Sequence, residues 1–329
     1  YDLRTVDNPS LNHLSKNYDN VLGVYIFDEV NSDPKLGSAS RVWLNYSLEY
    51  LKKQLNENLI ILKGNPRECF DELIDFFDVQ EISWNRCYEP WIIKRDKSLK
   101  IHLNKKIKVN SFNGSLLWEP WEILKNDGTP YKVFTPFYKK GCLLGPSPRV
   151  PKSEKINFYN HNFRVTNVSD LGLLENKQWE NKVLSQWKVG EHSSIEIMKS
   201  FFQNGVQNYS EGRNFPNKKN VSRLSPYLHW GQISPNSVWY EVNGLKNLKH
   251  DDLEVFKSEL GWREFAYYLL YHFPYLQKKN LKSNFDNFKW LEDPSNFKKW
   301  SRGFTGIPIV DAGMRELWQT GYMHNRPRM

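Results

Sequence analysis

Cysteine and long apolar runs are both scarce in this chain of 329 residues. Cys69, Cys87 and Cys142 form an odd, widely spaced set, which excludes a disulfide framework and offers neither a metal-binding pair nor a redox motif. They read as ordinary reduced residues of an intracellular protein, and no metal is expected. No uninterrupted apolar run approaches the length of a membrane span and no leader segment is visible, so a soluble protein is the expectation. No glycine-rich dinucleotide fingerprint is present either, which disfavours a nicotinamide site of the Rossmann type. Internal repeats and low-complexity tracts are also missing.

Aromatic residues, by contrast, are abundant: 13 Trp, 17 Tyr and 19 Phe make up 15% of the chain. Such side chains build large cores, but they also make planar stacking walls and electron-transfer chains. A formal net charge of +9 favours an anionic partner without naming one. Any nucleic-acid binding has to come from basic groups gathered on a folded surface.

The length suits two domains. Residues 21–28 (VLGVYIFD) are apolar and rich in strand formers, as in a buried parallel strand. A helix is expected from Ser40 to Asn56, then a strand at 59–62, a Gly64-Asn65-Pro66 turn and a helix to Phe77. A strand at 81–84, a helix around 90–102 and a strand near 107–112 complete an α/β pattern with crossover helices. Between Asp127 and Lys188 repeated prolines predict an ordered connector lying on a surface. After Gly190 the chain reads as helical. Ser193 with Glu196 and Asp251 with Glu254 suggest capping boxes, and Ser234 before Pro235 an N-cap. A long helix is expected through Tyr271 and another over Val310–Thr320.

Three segments carry candidate chemistry. In FKSELGWREFAYYLLYHF, 256–273, Glu259, Trp262 and Arg263 share one helical face. Spacing alone permits either a Glu259–Arg263 surface ion pair beside a core tryptophan or a pocket wall whose indole stacks on a planar ligand. In YSEGRNFPNKKNVSRLSPYLHWGQISP, 209–235, Ser222 and Ser225 are suited to phosphate oxygens and Arg213 and Arg223 to negative charge, although serines at helix entrances commonly serve only as caps. In WSRGFTGIPIVDAGMRELWQTGYMHNRPRM, 300–329, Asp311 and Arg315 stand four apart, and the Asn325 amide is suited either to a base or flavin edge or to a buried helix junction.

As an ordered set, EGRNFP, SRLSPYLHWGQISP, ELGWREFAYYLL, GFTGIPIVDAGMREL and HNRPRM resemble the photolyase/cryptochrome family. The resemblance runs from the first residues to the last. It implies an α/β antenna domain at 1–126 lacking its first strand, a connector at 127–190, and a helical FAD- and lesion-binding domain at 191–329 that is C-terminally incomplete. By motif, Tyr209, Ser222, Arg223, Leu224, Ser225, Arg263, Asn325 and Arg328 correspond to flavin-binding positions, with Val221 replacing a small hydroxylated residue. Arg213, Glu259, Trp262, Asn325, Arg326 and Met329 correspond to DNA-lesion contacts, and Glu259, Trp262 and Asn325 to the groups that act on the lesion. Trp290 matches the outer member of an electron relay. Asn325, where (6-4) enzymes carry histidine, favours the branch that repairs cyclobutane pyrimidine dimers with light.

The resemblance further implies reduced anionic FAD, with a folate or deazaflavin as antenna chromophore. It implies a monomer acting on UV-damaged DNA, cytoplasmic or nucleoid-associated in a bacterial cell. In place of the family's usual Asn and Glu at a folate site stand Trp91 and Ile92. A cryptochrome-like photoreceptor and a non-catalytic nucleic-acid-binding protein are the competing functions. Both ends are expected to be truncated, and the isolated chain is expected to bind flavin weakly.

Overall fold

The computed structural model describes residues 1–329 except Asn176, Asn247 and Met329. It begins with an α/β unit: α1 (Pro9–Asn17), β1 (Gly23–Phe27), α2 (Ser38–Gln54), β2 (Leu59–Lys63), α3 (Pro66–Phe76), β3 (Glu81–Asn85), α4 (Pro90–Leu103) and β4 (Lys108–Phe112). The expected strands and helices all form, with boundaries shifted by a few residues. Not foreseen was α1, which Asn8 caps by accepting from the Leu11 N–H, with Pro9 in the first turn, where its missing N–H costs nothing.

β1 pairs in parallel with β2, and β3 with β4. Among the described residues these are two separate two-stranded sheets. Gly23, Val24 and Tyr25 of β1 and Ile82, Ser83 and Trp84 of β3 line one cavity of 540 Å³ between them. Leu59 to Leu62 are all buried, as a strand covered on both faces requires. Trp43, Leu44, Leu48 and Leu51 of α2 join the main core, following the helical repeat.

The segment between the domains contributes to that core, contrary to the surface connector expected. Here α5 (Phe134–Pro136) runs into a π-helical turn at Phe137–Cys142, and Phe137, Tyr138 and Cys142 are buried. Its prolines end regular structure without keeping the aromatic residues out of the interior.

The remainder is helical: α6 (Gln178–Leu184), α7 (Glu191–Asn204), α8 (Tyr209–Gly212), α9 (Ser225–His229), α10 (Pro235–Gly244), α11 (His250–His272), α12 (Pro294–Arg302), α13 (Pro308–Thr320) and α14 (Asn325–Arg328). Ser234 caps α10 as expected. Ser193 is no cap, because α7 begins earlier, after Gly190 at φ 125°. A Cβ on Gly190 would come within 2.6 Å of the Tyr50 ring, so close packing as well as backbone conformation requires glycine there. Asp251 does not cap α11 either; Lys249 holds that position. The two parts are joined by Arg4, whose buried guanidinium donates to the carbonyls of Asp7 (2.9 Å), Gly231 (3.0 Å) and Gly114 (2.7 Å).

Candidate functional site

Three helical elements bring one polar cluster together. Asp252 of α11 is fully buried and accepts from the Asn208 N–H (2.8 Å), the Ser210 N–H (2.8 Å) and the Ser210 hydroxyl (2.7 Å). Burial alone would raise its pKa, but these donors hold the carboxyl below its ordinary range. The start of α8 is thereby fastened to α11. Arg213, directly after α8, then donates to Glu259 and lies 5.6 Å over the buried Tyr209 ring.

From α14, Arg326 Nε donates to Asn214 Oδ1 at 3.0 Å. The buried His324 ring accepts the Arg326 backbone N–H at Nδ1 (3.1 Å), while the His324 backbone N–H donates to Glu316 (3.3 Å). Burial lowers its pKa. Asn325 is exposed beside it. Arg213, Glu259, Asn325 and Arg326 thus share one polar neighbourhood, with Trp262 one helical turn beyond Glu259. Trp262 is 49% exposed, and one face of its indole is stacked on Phe134.

Arg263 faces elsewhere. It donates to Glu264 at 2.9 Å, lies 5.0 Å over the Tyr267 ring, and lines a small cavity with Tyr1, Cys87, Glu89 and His229. The Glu259–Arg263 ion pair permitted by spacing gives way to Glu259–Arg213 and Glu264–Arg263.

A second wall lies around 222–225. Arg223 has φ 54°, and its guanidinium is held between Trp187 (4.4 Å) and Tyr322 (4.7 Å). Its Nη2 is buried without a hydrogen-bond partner among the described residues. A buried, unsatisfied guanidinium nitrogen favours an anionic ligand group. Leu224 is buried and Ser225 exposed at the start of α9, while Ser222 Oγ accepts the Leu224 N–H at 3.4 Å. These residues fit a phosphate-bearing cofactor. Arg328 donates to the Met323 carbonyl at 3.1 Å, and Trp290 is 82% exposed. Met329 lies outside the described residues. Asp311 accepts from Thr305 and Gly306, and Arg315 donates to Gly303, so both shape the loop before α13.

The DNA photolyase family model matches residues 1–153, and that of the FAD binding domain of DNA photolyase matches 256–329. The chain is 38% identical to the deoxyribodipyrimidine photo-lyase of Agrobacterium fabrum, an alignment that covers 100% of this chain and 70% of the relative. It belongs to the photolyase/cryptochrome family. Within that family it is also 31% identical to cryptochrome-2 of Arabidopsis thaliana, over 100% of this chain and 57% of the relative. The crystal structure of a bacterial class III photolyase from Agrobacterium tumefaciens superposes with a TM-score of 0.94 at 38% identity, covering 99% of this chain and 69% of that one. The α/β unit followed by helices is the photolyase architecture, and the FAD-binding-domain match supports a flavin cofactor. Among the described residues, no helix is long and apolar enough to cross a membrane.

Sequence reasoning missed Phe134, Asn214, Asp252 and the Trp187–Tyr322 pair. Asn214 lay inside a segment already singled out and Asp252 beside the expected cap Asp251, but only the tertiary pairing reveals their roles.

Proposed function

We propose that the parent protein repairs cyclobutane pyrimidine dimers in DNA with light. The observation that carries this reading is that Arg213 donates to Glu259, one helical turn from the half-exposed Trp262, while Arg326 donates to Asn214 beside Arg213. An aromatic face, a carboxylate, an amide and two guanidiniums suit a flipped-out dinucleotide, its two pyrimidines joined covalently, with its phosphates. Trp262 stacks on the dimer. Glu259 and Asn325 bind its pyrimidine edges, and Arg213, Arg326 and Met329 hold its backbone and rim.

FAD is assigned to Tyr209, Ser222, Arg223, Leu224, Ser225, Asn325 and Arg328, with the Arg223 Nη2 that is unsatisfied among the described residues available to its phosphates, while Arg263 is turned away from them toward Glu264. In its reduced anionic form the cofactor supplies the photoexcitable electron source. Exposed Trp290 is assigned to the outer end of an electron relay. A second chromophore, a folate or deazaflavin, is assigned to the 180 Å³ cavity lined by Phe27, Asp28, Cys87, Trp91 and Arg95. It adjoins the carboxyl ends of β1 and β3, where open α/β sheets receive ligands. We assign the antenna domain to 1–126, the connector to 127–190 and the helical domain to 191–329. We place the protein in the bacterial cytoplasm, as a monomer associated with DNA.

The likeness to cryptochrome-2 favours a photoreceptor as the second reading. Dark affinities for dimer-containing and undamaged duplexes, compared at fixed salt with flavin occupancy measured, separate the two. A marked preference for the damaged duplex supports repair; equal affinities with full flavin support the photoreceptor.

A further inference from the structure

Trp262 is the open end of a column of three rings. Phe134 lies against its indole with centroids 3.7 Å apart and planes inclined by 11°, and Tyr138 lies 5.4 Å from Phe134 at 10°. Phe265 closes the side, nearly edge-on to Phe134 at 5.9 Å and to Trp262 at 6.0 Å. Phe134 and Tyr138 come from the segment between the domains, which the lesion-site assignment does not use.

The inner end of the column is immobilised. Tyr138 is 4% exposed in the π-helical turn, and π-turns recur where a side chain must be re-aimed. It packs so closely on α11 that a Cβ at Gly261 would stand 2.5 Å from its ring. Since Phe134 covers one face of Trp262, the exposed area of the indole belongs to its other face and its edges.

We infer that Phe134 is a positioning residue for lesion recognition: it fixes the plane of the Trp262 indole, so that a flipped pyrimidine dimer extends a stack already assembled. This rests on the reading of Trp262 as the group that stacks on the lesion. A half-exposed tryptophan without such support must be ordered during binding, and that ordering opposes affinity. Phe134 removes the cost in advance. The benefit falls on damaged DNA alone, because bases that remain stacked in the duplex never reach the indole.

The test uses the full-length, FAD-bound protein in the dark with a dimer-containing duplex and its undamaged counterpart at one salt concentration. Phe134→Met keeps an apolar side chain but removes the flat face. It is expected to weaken dimer binding about 3–10-fold, leaving undamaged-duplex affinity and flavin content within about twofold. Phe134→Tyr restores dimer affinity. Unchanged dimer affinity in Phe134→Met, equal losses on both duplexes, or no rescue by Tyr overturns the inference.

If Phe134→Met does not fold, hydroxyl-radical footprinting of the unmodified protein decides. Labelling of Trp262 should fall on lesion binding while that of Phe134 stays constant; a rise at Phe134 would mean displacement by the lesion and refute the supporting role. Equal affinity of the unmodified protein for both duplexes overturns the lesion reading itself, and this inference with it.

Discussion

Arg213 donates to Glu259 between the end of α8 and the middle of α11, so the two charges expected to meet the lesion separately already hold each other in place. Both side chains are partly exposed, at 16% and 31%, and such a pair contributes only about 0–1 kcal/mol to stability. Its value lies in arrangement. Arg213→Ala should therefore leave the melting temperature almost unchanged while weakening binding to damaged and undamaged DNA. The slope of log affinity against log salt should become shallower by about 1. Titrations at several salt concentrations check this; an unchanged slope would remove Arg213 from the phosphate contacts.

Glu264 gives the protein a pH dependence near neutrality. Burial raises its carboxyl to about 7, against the opposing pull of Arg263 and of the Leu117 and Trp118 N–H groups. The folded state thus binds a proton that the unfolded state releases from about pH 4.5 upward. Stability from this group is full below pH 4.5 and declines as pH rises through 7, by on the order of 1–3 kcal/mol. Glu264→Gln cannot ionise, so its melting temperature should fall less between pH 5 and 8 than that of the unmodified protein. Parallel curves would contradict the assignment.

Glu81 acts in the opposite sense. Its buried side chain accepts from Asn110 (2.7 Å), His13 (2.8 Å), Tyr18 (2.9 Å) and Lys108 (3.0 Å). Burial alone would raise the carboxyl, yet these partners hold it down at about 2. The stabilisation is complete above about pH 4.5 and is lost as pH falls through 2. Glu81→Gln should cost about 1–3 kcal/mol at neutral pH and flatten the acid limb of the stability curve. Chemical denaturation at pH 7 and at pH 3 measures both effects.

Gly261→Ala should lower stability by about 1–3 kcal/mol, because the new methyl meets the Tyr138 ring and forces it from its site. Loss of dimer preference should accompany the fall if the displaced ring disturbs Phe134 and Trp262. Denaturation midpoints and dark affinities on the same preparation check the two parts together.

The α/β alternation was legible because β1 to β4 and α2 to α4 follow local periodicity between turn residues. The long helix α11 was legible for the same reason, and Ser234 because its cap is a local bond. Ser193 misled, since serine and glutamate at capping spacing also occur inside a helix when a glycine upstream makes the turn. Asp252 was passed over for its neighbour Asp251, because its partners, Asn208 and Ser210, lie at the start of α8, more than forty residues earlier. For Arg263 the choice between neighbouring Glu264 and Glu259 depends on which way the helix faces the rest of the fold. Phe134 and Tyr138 lie in a proline-interrupted stretch without periodicity, and only close packing on Gly261 reveals their place in the stack.

The central claim is tested most directly by illuminating the reduced, FAD-loaded full-length protein with dimer-containing DNA and quantifying intact dimers and restored pyrimidines, with Trp262→Ala measured in parallel. Light-dependent conversion of dimers to pyrimidines, sharply reduced in Trp262→Ala and missing in the dark, is the predicted result. Unchanged dimers after illumination of flavin-occupied protein would contradict it.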